Sequence, residues 1–202
     1  MYTNELKNLP ILDLKTDYKN NNTMKYFEKL DMPVLDLPID DINFHDNQIC
    51  LNTIAGSDDP ILGTGSLLYD WDQSTEVNGQ LHVPLRDNPL TESDFTELCS
   101  QFKNTVWEKV YRELESRYHI GRVRLMRSKP KTCLSWHCDT SKRIHLPICT
   151  QPGCMMVIQD EVLHLEQGQW YMTNTLLEHT AFNASLLDRT HLVVVVLDKN
   201  KI

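Results

Sequence analysis

Hydrophobic residues change their spacing along this chain, and the change divides it. From Phe95 through Leu98, Phe102, Val106, Val110 and Leu114, apolar residues recur in steps of three and four, which predicts a helix with one buried face. Thr91-Glu92-Ser93-Asp94 supplies cap and first-turn acids for its start, with Pro89 just before it. Beyond Gly121 the texture becomes short apolar runs broken by turn residues. Eight strands are predicted, over residues 122–127, 133–136, 143–149, 154–158, 162–165, 169–173, 178–182 and 190–197. Eight short strands in about eighty residues suit a double-sheet jelly roll of the cupin kind. The run Val193–Val196 is apolar on both faces, so its strand needs a cover, and the helix is the available one.

The region before the helix is less regular. The Asn20-Asn21-Asn22 run predicts loop, and residues 24–30 predict one short helix. Pro33 and Pro38, set among alternating apolar and acidic residues, predict extended segments near a sheet edge, and Gln48–Leu51 a second extended piece. Residues 52–65, rich in Gly, Ser, Asp and Pro, read as a long loop. Gly63-Thr64-Gly65-Ser66 lacks the lysine and following helix of a phosphate cradle and reads as a turn. The chain is thus expected to be one domain over residues 1–202: an N-terminal extension and supporting helix over 1–120, and a jelly-roll core over 121–202.

Charge narrows the partners. With 20 Lys+Arg against 28 Asp+Glu in 202 residues, the net charge of −8 argues against broad binding to nucleic acid or anionic membrane. No apolar run is long enough to span a membrane and no signal-peptide layout opens the chain, so a cytoplasmic protein is expected. The six cysteines form no CxxC and read as thiols, with Cys50, Cys133, Cys149 and Cys154 in apolar, strand-like surroundings.

The chemistry centres on Trp136-His137-Cys138-Asp139. On a strand, residues two apart point the same way, so His137 and Asp139 can present an imidazole and a carboxylate to one metal ion. His179, at the seventh predicted strand, offers a second imidazole, and two histidines with one carboxylate form the facial triad of non-haem Fe(II) oxygenases. Arg189 follows ten residues later, before the last strand. His45, His82, His119, His164 and His191 read as structural, although His191 shares a strand face with Arg189. Arg122, Arg124 and Arg127 read as solvated or paired with acids, with one of them able to face a substrate. Trp136 and Trp170 read as packing residues.

In order and spacing, His137-x-Asp139, Arg143-Ile144-His145, Gly168-Gln169-Trp170 and the run from His179 to Arg189 resemble the aspartyl/asparaginyl β-hydroxylase family of Fe(II)- and 2-oxoglutarate-dependent oxygenases. The resemblance covers residues 122–198. It implies iron held by His137, Asp139 and His179, and 2-oxoglutarate held at its distal carboxylate by Arg189 and contacted by Arg143 and His145. It also implies dioxygen as co-reactant and, as substrate, an amino acid or a peptidyl Asp, Asn or Pro side chain. One departure stands out: the founding members lack the carboxylate ligand, so Asp139 tilts the chain towards the triad-bearing branch, which includes proline hydroxylases. The alternative reading is a catalytically silent cupin-like protein that binds a metal or small molecule. Arg189 weighs against a metal-dependent isomerase or hydrolase, which has no use for a diacid anchor.

Overall fold

The computed structural model describes residues 24–33 and 37–197, so the loop predicted around Asn20–Asn22 lies outside it. In chain order the strands are β1 (Phe27–Leu30), β2 (Gln48–Cys50), β3 (Asn52–Ile54), β4 (Thr75–Val77), β5 (Gln80–His82) and β6 (Phe95–Leu98). After helix α1 (Val106–Arg117) come β7 (Ile120–Ser128), β8 (Thr132–Cys133), β9 (Arg143–Cys149), β10 (Cys154–Ile158), β11 (Glu161–Leu163), β12 (Trp170–Thr173), β13 (His179–Asn183) and β14 (Arg189–Val196). A six-stranded sheet in the order β1-β12-β9-β14-β7-β2 faces a four-stranded sheet, β11-β10-β13-β8, and the named pairings in both are antiparallel. This is a double-stranded β-helix of the cupin kind with one buttressing helix.

Alternation along the central strands creates two interiors. On β14, Leu192 and Val194 turn outward and pack with Leu125, Ile144, Val110, Tyr111 and Leu114 into the larger core, so α1 covers the six-stranded sheet as the sequence predicted. A smaller apolar cluster of Phe27, Met156, Ile158, Leu165, Tyr171 and Ala181 lies between the sheets. The inward set on β14, Arg189, His191 and Val193, is mostly polar and shares its face with Arg124 and Met126 of β7 and with Arg143 and His145 of β9.

Two expectations are corrected. The predicted helix begins at Val106 rather than near residue 93, since Glu92–Asp94 and Ser100–Phe102 are 3-10 turns and Phe95–Leu98 is a strand paired with β3. Phe95, Leu98 and Phe102 are still buried, so the spacing reported burial correctly and conformation wrongly. Asn104 breaks any longer helix at φ 61°, and the Thr105 hydroxyl then caps α1 by accepting from Trp107 N at 3.1 Å. The short helix expected over residues 24–30 is instead strand β1, held on β12 and pinned where the Glu161 carboxylate accepts from Lys25 N and Tyr26 N. Residues 34–36, in the middle of the Pro33–Pro38 segment expected to be extended, lie outside the described residues.

Gly63 and Gly121 mark close approaches that fix the loop ahead of the core. A Cβ on Gly63 would stand 2.5 Å from the Phe95 ring and 2.7 Å from Cys50 Sγ, and one on Gly121 would stand 2.4 Å from Glu92 O. All six cysteines are free thiols: Cys50, Cys99 and Cys154 are buried, whereas Cys133 and Cys138 are exposed, contrary to the apolar setting expected of Cys133.

Candidate metal centre and cosubstrate pocket

His137, Asp139 and His179 come together, with one ligand atom of each within 4.8 Å of the others. The way they meet differs from expectation, because β8 ends at Cys133 and Trp136–Asp139 is not a regular strand. His137 is positioned by an isolated bridge to His179, with His137 N donating to His179 O (3.1 Å) and His179 N to His137 O (2.9 Å). Asp139 N donates to Thr175 O at 2.8 Å. The backbone of the β13 edge and its approach therefore places all three side chains.

Both imidazoles are set in one tautomer by their backbone. His137 Nδ1 lies 2.7 Å from Ser135 O and His179 Nδ1 lies 2.9 Å from Leu177 O. A carbonyl only accepts, so each Nδ1 carries the proton and each Nε2 offers its lone pair to a metal. The Asp139 carboxylate accepts from Arg143 Nε at 2.9 Å. Burial pushes its pKa up, but the Arg143 hydrogen bond and charge, with smaller help from His179 and His137, hold it below the usual carboxylate value. Asp139 is thus an anion, and its remaining lone pairs can serve a cation while Arg143 holds Oδ2.

These groups line a cavity of about 280 Å³ that also takes in Arg124, His145 and Arg189. Arg143 is buried between two acids: Nε on Asp139, and Nη2 donating to Glu92 Oε1 at 3.3 Å. Glu92 also pairs with Arg122, which donates to Gly63 O and so ties the upstream loop to the site. Arg189, buried on β14, donates from Nη2 to Ser128 Oγ at 3.2 Å. Arg143 Nη1, Arg189 Nε, Arg124 Nε and His145 Nδ1 are buried without a hydrogen-bond partner among the described residues. Burial and the Arg189 charge hold His145 down at about 3, so its imidazole is neutral. Several orphaned polar atoms on residues that line one cavity are what an oxygen-rich anion would satisfy.

Sequence reasoning brought the six chosen residues to one place and undervalued two others. Arg124 is neither solvated nor ion-paired among the described residues. It donates from Nη1 to Gln48 Oε1 at 2.9 Å, and burial, helped by the Arg122 charge, brings it down to about 9. Its inward register on β7, alternating with outward Val123 and Leu125, was the available signal. Glu92 was read only as a first-turn acid, and nothing local to it announces a bridge to Arg122 and Arg143. Arg127 does pair, with Asp188 at 3.7 Å. Of the tryptophans singled out, Trp170 is buried, but Trp136 is 57% exposed and lines a shallow cleft with Gln159, Asp160 and Glu178.

The fold and the inward-facing cluster define a double-stranded β-helix with a candidate metal site. More narrowly, the chain belongs to the aspartyl/asparaginyl β-hydroxylase family, whose model matches residues 70–199, starting well before the Arg122 at which the sequence resemblance begins. No curated protein matches the chain. Distant structural similarity extends to a cupin domain from Bordetella pertussis (18% identity, TM-score 0.35, 40% of this chain and 84% of that one). It extends also to a 2OG-Fe(II) oxygenase-family oxidoreductase from Burkholderia pseudomallei (15%, 0.36, 47% and 53%) and to a ribosomal oxygenase from Escherichia coli (12%, 0.37, 63% and 40%). This chain therefore spans about half or less of the two oxygenases. Among the described residues, no helix is long and apolar enough to cross a membrane.

Proposed function

We propose that the protein is an Fe(II)- and 2-oxoglutarate-dependent dioxygenase that hydroxylates a carbon of an amino acid or of a peptidyl Asp, Asn or Pro side chain. The observation that carries this reading is one cavity holding both a two-histidine, one-carboxylate cluster with free Nε2 atoms and a buried arginine whose Nε lacks a partner. His137, Asp139 and His179 would hold the iron. Arg189 would pair the distal carboxylate of 2-oxoglutarate, with Arg143 and His145 as its further contacts. The donor set fits: two neutral imidazoles and one anion suit a divalent first-row metal, and arginine's planar fork suits a carboxylate. When bound, iron with 2-oxoglutarate and dioxygen supplies oxidative decarboxylation to succinate and carbon dioxide, coupled to conversion of a substrate C–H to C–OH.

The chain's own contribution is orientation. Backbone carbonyls lock both histidine rings, Arg143 fixes the Asp139 carboxylate, and Glu92 fixes Arg143. Arg124 remains as a buried cation without a protein counter-ion among the described residues, which favours a substrate that presents a carboxylate. In the test, anaerobically purified protein is given iron and 2-oxoglutarate, and oxygen is then admitted with free amino acids and with peptides containing Asp, Asn or Pro. Succinate should form in step with one hydroxylated product. Absence of 2-oxoglutarate binding and of succinate across the panel would sink the proposal.

A further inference from the structure

Trp136 and Glu178 each stand one residue before a histidine of the metal cluster, His137 and His179, whose backbones bridge each other. Neighbouring side chains on an extended backbone point to opposite faces, so the imidazoles turn inward while the indole and the carboxylate turn outward. There, with Gln159 and Asp160, they line a cleft of about 560 Å³ that shares no lining residue with the metal cavity. Its walls are fixed by main-chain bonds, since His137 and His179 exchange N–H donors and Gln159 N donates to Glu178 O at 3.0 Å. All four lining residues are exposed. The carboxylates of Asp160 and Glu178 have no hydrogen bond or ion pair among the described residues, and no cationic side chain lines the cleft. By contrast, the adjoining Glu161 gives its carboxylate to Lys25 N and Tyr26 N.

Resting on the reading of the chain as an oxygenase, we propose that this cleft docks a basic side chain, arginine or lysine, of a polypeptide substrate. An exposed indole alone marks nothing, because single apolar side chains are normal on a surface. Set among two carboxylates with no cation to answer them, it completes what a guanidinium or ammonium needs: a π face for the charge and acceptors for the N–H groups. The Gln159 amide oxygen is a further acceptor. The same two carboxylates repel anionic partners. The placement also selects a peptidyl substrate over a free amino acid. The cleft and the metal cavity lie on opposite faces of one ladder, so a residue in the cavity reaches the cleft only through a chain that continues past it.

The test uses peptides containing Asp, Asn or Pro with arginine, or its uncharged isostere citrulline, at successive positions on either side. Binding is followed by nuclear magnetic resonance at the Trp136 indole N–H, which needs no turnover, and succinate release is measured on the same peptides. At one spacing the arginine peptide should bind about five- to tenfold more tightly than its citrulline partner, with KM for the peptide lowered to match. The preference should shrink at high salt and vanish both in Trp136→Ala and in the isosteric pair Asp160→Asn with Glu178→Gln. Equal binding of arginine and citrulline peptides at every spacing, or a preference that survives in both variants, overturns the proposal. So does sedimentation that shows a dimer dissolved by Trp136→Ala, which would assign the cleft to a second copy of the chain. Arginine-dependent binding at Trp136 with no succinate from any peptide would overturn the dioxygenase reading alone and leave the docking surface standing.

Discussion

Acidification should unfold this protein through its interior histidines before its carboxylates take part. His145 is held at about 3 in the folded state against an ordinary value of 6.5, first by burial and then by the Arg189 charge. Because the folded value is depressed, the unfolded chain takes up the proton that the folded chain refuses. Stability is therefore full above about pH 6.5 and falls as pH drops towards 3, at up to ~1.4 kcal/mol per pH unit for one such group. From pH 7 to pH 5 the loss from His145 is about 2 kcal/mol, a ceiling because one edge of the ring faces the cavity and can reach water. His191 and His179 are shifted in the same direction and add to it. Asp139 and Asp58, held below the ordinary 3.8, lose their contributions only under about pH 4, so the window between pH 5 and 7 belongs to the histidines. Urea denaturation of metal-free wild type and His145→Gln at pH 7, 6 and 5 measures the difference. The variant should lose about 2 kcal/mol less than wild type over that range. Parallel losses in the two proteins, or a wild type that gains stability on acidification, would refute the reasoning.

Two further outcomes follow from the charged groups around the cavity. Arg124→Gln should raise KM for carboxylate-bearing substrates by about ten- to a hundredfold while leaving KM for 2-oxoglutarate unchanged, measured by succinate release at varied substrate and cosubstrate; a shift confined to 2-oxoglutarate would assign Arg124 to the other ligand. Glu92→Gln leaves the buried Arg122 and Arg143 short of their shared anion and should cost about 3–5 kcal/mol in urea denaturation. A loss under about 1 kcal/mol would show that this carboxylate does not hold the upstream loop to the barrel.

Much of the barrel was legible because its strands lie where apolar runs stop at turn residues. Residues 143–149 and 154–158 were predicted with the bounds of β9 and β10, since Pro152-Gly153 separates them, and β7, β12, β13 and β14 fall within two residues of prediction. His137, Asp139, His179 and Arg189 were legible as candidates from residue type, order and spacing, Arg143 and His145 from the family resemblance, and the fold brings all six to one cavity. What was not legible depended on partners distant in sequence. Phe95–Leu98 carries helical spacing yet extends because β3 offers it a ladder, and Phe27–Leu30 extends because β12 does. The true helix start was written in Thr105-Val106-Trp107-Glu108, a cap followed by an acid three residues on, but the longer periodicity upstream hid it. Glu92 and Arg124 act through contacts across 30 and 76 residues, which no local pattern encodes.

The account stands most directly on a divalent metal at His137, Asp139 and His179. Titration of Mn(II) into wild type, Asp139→Ala and His179→Ala, followed by electron paramagnetic resonance, tests it. The account predicts one site in wild type, weakened by at least about tenfold in each variant, with the melting temperature of metal-free His179→Ala little changed and that of metal-free Asp139→Ala lowered because Arg143 loses its Nε partner. Variants that bind Mn(II) as wild type does, or a wild type with no site, would contradict it.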